Sequence, residues 1–168
     1  METEFSTTVW GWYAEDEYKN LLSFCQLCSG LEFLAMEAGT QSLSTPSCPG
    51  CEVWPGKMLC IQEFIDDVGN SLPTNIKTKL RLLFELCKDL SDEAYHCNDQ
   101  FMFFHQEWEP IRQASRDALN GIGWSDLKNL FQSLKGGVEV HVMAYHIQKP
   151  NNPLRSLGPA NAGPLTSR

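Results

Sequence analysis

LPTNIKTKLRLLFELCKDLSDEAYHCNDQFMFFHQEWEPIRQASRDALN, residues 72–120, is the stretch whose reading decides the fold. Apolar or small residues recur at Ile76, Leu80, Leu83, Cys87, Leu90, Ala94, Cys97, Phe101, Phe104, Trp108, Ile111, Ser115 and Ala118, in alternating steps of four and three. That spacing is a helical stripe, and burying each such side chain is worth about 1.5–3 kcal/mol, so other segments must cover it. Ser91-Asp92-Glu93 is an N-terminal helix signal, which places a turn or kink there. Pro110 removes a backbone donor and sets a second bend near Gln106 to Glu109, and Gly121-Ile122-Gly123 ends the run.

Working outward, Thr7 to Tyr13 is β-branched and aromatic and reads as a short strand or an aromatic lid. Ala14 to Ala38 has an acidic opening and the period Tyr18, Leu21, Leu22, Cys25, Cys28, Leu31, Ala35, a helix that Gly39 stops. Gln41 to Pro55 reads as a loop. A short helix follows, with Met58, Ile61, Phe64, Ile65 and Val68 buried and Gly69 as a left-handed terminator. On the other side, Ser125 caps a last helix to about Lys135, stopped by Gly136-Gly137, and Val138 to Ile147 alternates as a strand. The expectation is a mainly α, single-domain helical bundle of five or six helices over residues 1–149. One or two short strands lie near its ends, and a Pro-rich tail over 150–168 is disordered.

The chain has 168 residues, 42% hydrophobic and 20% charged, enough for one domain with a core of its own. The acidic N-terminus and the lack of a long apolar run exclude a signal peptide and a membrane span, and imply the cytoplasm. Seven cysteines, an odd number scattered over helical faces, suit reduced thiols. The acidity is concentrated: residues 1–67 hold eleven acids against Lys19 and Lys57, and no Lys or Arg lies between Asp92 and Glu109. Nucleic acid is excluded as a ligand, since phosphate contacts need clustered bases; Lys77, Lys79, Arg81 and Lys88 are too few, and read as a solvated face or as docking with the acidic N-terminal half.

The sharpest local pattern is Cys25-x-x-Cys28 with Cys48-x-x-Cys51, nineteen residues apart, a spacing that fits a four-thiolate zinc site. Against it, Cys25 and Cys28 fall inside a helical period, where cysteine serves as a small hydrophobe. Cys48-Pro-Gly-Cys51 also has the form of a redox dithiol, without the strand that such sites follow. Glu93-x-x-His96 has di-iron spacing but no second copy, and Glu63 with Asp67 has no neighbouring base. His141 and His146 fall on opposite strand faces. On a helix from Ser91, the side away from the stripe presents Tyr95, Asp99, Met102, Phe103 and Gln106, with Asp92, Glu107 and Glu109 at its ends. Aromatics among acids suit a basic protein partner; a helix buried on both sides is the alternative.

The expected function is therefore that of a small acidic cytoplasmic protein-binding protein. One concrete form is an inhibitor or immunity-type protein that neutralises a basic enzyme or toxin. A zinc-binding adaptor using Cys25, Cys28, Cys48 and Cys51 is the first alternative, and an enzyme of unrecognised class the second. Zinc is the one cofactor the pattern suggests, and no catalytic residue stands out.

Overall fold

A computed structural model of the chain describes residues 4–45 and 48–128. In chain order its helices are α1 Glu4–Ala14, α2 Tyr18–Ala35, α3 Ala38–Ser44, α4 Pro49–Val53, α5 Leu59–Val68, α6 Thr74–Lys88 and α7 Trp108–Ile122. A π-helical turn, Trp54–Met58, joins α4 to α5, and a 3-10 turn, Met102–Phe104, precedes α7. Residues 124–128 are helical as well. The fold is mainly helical, and the described residues contain no strand. The last helix beyond residue 128, the strand expected over Val138–Ile147 and the tail over 150–168 lie outside the described residues.

The central element is α2. Leu21, Phe24, Leu27, Cys28, Leu31 and Leu34 recur every three or four residues, Phe33 adds a second side, and all are buried. A helix apolar on more than one side needs a neighbour on each; α2 packs against α1, α5 and α7. Gly30 permits the approach of the π turn, for a Cβ there would stand 2.7 Å from Cys60 Sγ and 2.8 Å from the Lys57 carbonyl.

Four expectations are corrected. Thr7 to Tyr13 is not a strand but part of α1, because Phe5, Val9 and Trp12 are buried at helical spacing. Their rings meet the core edge-on, Phe5 at 5.4 Å from Phe24 and Trp12 at 6.4 Å from Phe64, and this packing overrides β-propensity. Gln41 to Pro55 is not a loop throughout, since α3, α4 and the π turn occupy most of it. Gln41 is buried and donates to the Phe33 carbonyl at 3.1 Å, closing the end of α2. Pro55 cannot donate to the preceding turn, and the chain widens there, with Leu59 N–H bonding the Trp54 carbonyl. Gly69 ends α5 at φ −58°, right-handed, with Lys77 Nζ donating to its carbonyl at 3.0 Å.

The fourth correction concerns the long stripe. It is α6 and α7, packed against one another, with residues 89–107 between them in turns and the 3-10 segment. No helix starts at Ser91, and Pro110 kinks no helix: it is the third residue of α7, where its missing N–H breaks no bond, and the chain turns just before it, at residues 105–107. Gly123 closes α7 at φ 76°, as the Gly121-Ile122-Gly123 signal implies. No helix among the described residues is long and apolar enough to cross a membrane.

Loop 89–107 lacks a ladder of its own, so α7 supplies its partners. Trp108, fully buried, donates Nε1–H to the Ala94 carbonyl at 2.8 Å. The Glu107 carboxylate receives the Ser91 backbone N–H and hydroxyl, each at 2.8 Å. Arg112, also buried, donates to the Phe103 carbonyl and, at 3.1 Å, to Glu109. Trp108→Phe keeps most of the ring but leaves the Ala94 carbonyl without its donor, and should cost about 1–3 kcal/mol in urea unfolding. Unchanged stability would show that the bond does not hold the loop.

Glu107 adds a pH signature. The donors from Ser91, the backbone N–H foremost, hold its carboxyl below the ordinary value of 4.5. With the folded pKa depressed, its contribution is complete above that ordinary value and is lost as pH falls through the folded pKa. Glu107→Gln should therefore lower the melting temperature at neutral pH, and the gap from the parent chain should close in acid. A gap that persists in acid would contradict this role.

Candidate metal centre

Loop 89–107 delivers Cys97 to the turn that begins α4. Cys48 is the residue before that helix, and its carbonyl accepts the N–H of Cys51 and of Glu52, each at 3.0 Å. Pro49, at the first helical position, needs no donor there. The two segments come together through Gly50, where a Cβ would stand 2.6 Å from the His96 carbonyl oxygen and 3.1 Å from Cys97 N. Tyr95 fastens them: its hydroxyl donates to the Gly50 carbonyl and accepts Trp54 N–H at 3.1 Å. The ring of Tyr95 leans on Trp108, with centroids 6.5 Å apart. Thus the buried indole that holds the loop also sets the side chain that locks the turn.

Three thiols converge as a result. Cys48 Sγ is 3.1 Å from Cys51 Sγ, Cys51 Sγ is 3.4 Å from Cys97 Sγ, and all three lie within 4.8 Å of one another. Cys51 and Cys97 are exposed and Cys48 is half-buried. The backbone N–H groups of Asn98 and Cys51 also face Cys48 Sγ. The Cys51 thiol and those amides lower Cys48 to about 7, whereas Cys51, beside the Cys48 and Cys97 sulfurs, is pushed up to about 12. A thiolate held by backbone amides is prepared as a metal ligand, and Asn98, at φ 63°, turns its N–H toward it. On a tetrahedral zinc with sulfur at about 2.3 Å, ligand sulfurs sit about 3.8 Å apart, so the trio would close on an ion with shifts below an ångström.

The cluster differs from the set that spacing suggests. It takes Cys48 and Cys51 but joins them to Cys97; Cys25 and Cys28 are not part of it. Cys28 is wholly buried on α2, where desolvation raises its pKa well above the thiol range. Burial likewise pushes Cys60 up to about 11 and Cys87 up to about 12. Cys97 gave no spacing signal, since the nearer of its partners, Cys51, is forty-six residues away in sequence. Its one local mark is the turn-forming Asn98-Asp99 that follows it.

The residues expected to face a partner are dispersed. Phe103 and Met102 are core, Phe103 stacking edge-on against Trp108 at 4.9 Å, and Tyr95 is half-buried in the lock just described. Asp99 meets His96 Nε2 at 3.1 Å and Glu109 meets Arg112 Nη1 at 3.1 Å, while Glu107 is held by Ser91. Asp92, Glu93 and Gln106 are exposed. His96 Nδ1 bonds the Asp92 carbonyl at 3.1 Å, so both ring nitrogens are engaged outside the thiol cluster. On this loop the aromatics that reach solvent are Phe101 and Phe104, 75% and 60% exposed, with ring centroids 6.1 Å apart. Elsewhere, Glu63 and Asp67 line a cleft of about 440 Å³ with Lys19, Leu22, Ser23, Gln26 and Asp66. Lys19 pairs with Asp67 at 3.2 Å there. His141 and His146 lie outside the described residues.

No family model, curated protein or solved structure matches the chain. The site therefore rests on its own geometry. With a chelator present at neutral pH, a maleimide should label Cys48, Cys51 and Cys97 in the native chain, and Cys28, Cys60 and Cys87 only after unfolding. Rapid native labelling of Cys28 would contradict the burial on which this division stands.

Proposed function

We propose that the chain is a metal-stapled adaptor, in which Cys48, Cys51 and Cys97 hold one zinc ion and so fix loop 89–107 to the turn before α4. The observation that carries this reading is the convergence of three sulfurs, from segments far apart in sequence, within 4.8 Å. Thiolate donors select zinc over hard cations such as magnesium or calcium, and closely spaced sulfurs suit a single ion rather than a cluster that spreads its ligands over several irons. A fourth ligand, water or a light-atom side chain, completes the tetrahedron.

The role we assign to the ion is structural, and the role of the stapled loop is to bind a protein. Phe101 and Phe104 stand on that loop as an exposed aromatic pair, four and seven residues past Cys97. Aromatics contribute large area at low entropic cost in interfaces. The strongly acidic N-terminal segment would steer a basic partner toward the protein, as an inhibitor of a basic enzyme requires.

Metal content of the purified full-length chain, read by native mass spectrometry, tests the ligand set. One zinc per chain should be retained, lost in Cys97→Ser and in Cys48→Ser, and kept in Cys25→Ser. Gly50→Ala should weaken retention as well, because the new methyl would push the His96–Cys97 peptide away. A chain that retains no metal, or a Cys97→Ser variant that retains it fully, would sink the assignment.

A further inference from the structure

The same three thiols are placed for a chemistry that needs no metal. Cys48 Sγ and Cys51 Sγ are 3.1 Å apart, and a disulfide forms when sulfurs close to about 2.05 Å, so an approach of roughly one ångström joins them. Both belong to one short turn, and that turn is fastened by bonds that use no sulfur: Tyr95 to the Gly50 carbonyl, and Trp54 N–H to Tyr95. Closing the pair therefore leaves the surrounding backbone anchored. Access is open, with Cys51 exposed and Cys48 half-buried, whereas Cys28, Cys60 and Cys87 are shut in the core. Cys97, 3.4 Å from Cys51, stands beside the pair as a third thiol.

The geometry points to a thiol–disulfide exchange site at Cys48 and Cys51, whose substrate is a small disulfide of the glutathione type. One thiolate of the pair attacks a sulfur of glutathione disulfide, forming a mixed disulfide and expelling a glutathione thiolate. The second thiol gives its proton to water and attacks the protein sulfur of that mixed disulfide, expelling the second glutathione thiolate. Two protein thiols are oxidised to one disulfide, and one glutathione disulfide is reduced to two glutathione molecules. In its consequence for metal the inference rests on the zinc reading: oxidation removes two of three ligands, so disulfide and ion exclude one another.

The test has two arms on the full-length chain. In the first, metal-free protein in chelator is equilibrated with graded mixtures of reduced and oxidised glutathione, trapped with acid, and its disulfides are mapped by mass spectrometry. A Cys48–Cys51 disulfide should accumulate as the mixture becomes oxidising, should disappear in Cys48→Ala and should persist in Cys87→Ala. Thiols that stay reduced in the most oxidising mixture, or a disulfide joining other cysteines, would overturn the inference. In the second, zinc-loaded protein meets glutathione disulfide beside a chromogenic chelator, and zinc should be released in step with the mapped disulfide. A chain that forms the disulfide but never retains zinc would remove the metal reading and leave the exchange site standing. A chain that retains zinc yet forms no disulfide in the first arm would remove the exchange site alone.

Discussion

A loop without regular structure that is pressed against a helical core must find partners for its backbone, because a buried unpaired carbonyl or amide costs about 1–3 kcal/mol. Residues 89–107 meet that constraint through the start of α7 and the residue that precedes it. Trp108 takes the Ala94 carbonyl, Glu107 takes Ser91, and Arg112 takes the Phe103 carbonyl. The rest of the candidate site follows from these bonds. With Ala94 fixed, Tyr95 points to Gly50; with Tyr95 in place, Cys97 arrives beside Cys48 and Cys51. Core packing and site geometry therefore share one residue, the buried indole of Trp108.

The helices that carry the core were legible because their apolar residues keep a helical period against polar surroundings. Within α5, α6 and α7 the positions picked out by period are the buried ones, such as Ile61, Leu80 and Ile111; in α2 the period finds Leu21, Cys28 and Leu31 but passes over the buried Phe24, Leu27, Phe33 and Leu34. The period misled where it continued by coincidence. Leu90, Ala94, Cys97, Phe101 and Phe104 extend the stripe of α6 in register, but Phe101 and Phe104 face solvent. Asn98, at φ 63°, and Asp99, whose carboxylate accepts the Phe101 N–H at 2.7 Å, turn the chain there instead. α1 failed in the opposite sense: Thr7 to Tyr13 has strand composition, and only the positions of Phe5, Val9 and Trp12 reveal its helical face.

Two of the three thiols were legible for a similar reason. A Cys-x-x-Cys turn is local, and Cys48-Pro-Gly-Cys51 announces itself; Cys25-x-x-Cys28 has the same spelling, but α2 turns Cys28 into the core. The third thiol depends on tertiary structure, since only folding brings Cys97 across forty-six residues to Cys51. A metal held by such a set stabilises the folded chain directly, because the unfolded chain has no site to offer it. The same closeness lets two of the sulfurs join each other. On the proposed reading, such a site would respond to metal supply and to redox conditions through one set of atoms.

The central claim is that Cys48, Cys51 and Cys97 are the ligands of one ion. Zinc-edge X-ray absorption on the purified full-length chain tests it most directly, because scattering distinguishes sulfur from nitrogen or oxygen around the metal. The account predicts three sulfurs at about 2.3 Å and one lighter atom at about 2.0–2.2 Å. A shell of four sulfurs, which would require Cys25 or another cysteine, or a shell of nitrogen and oxygen alone, would contradict it.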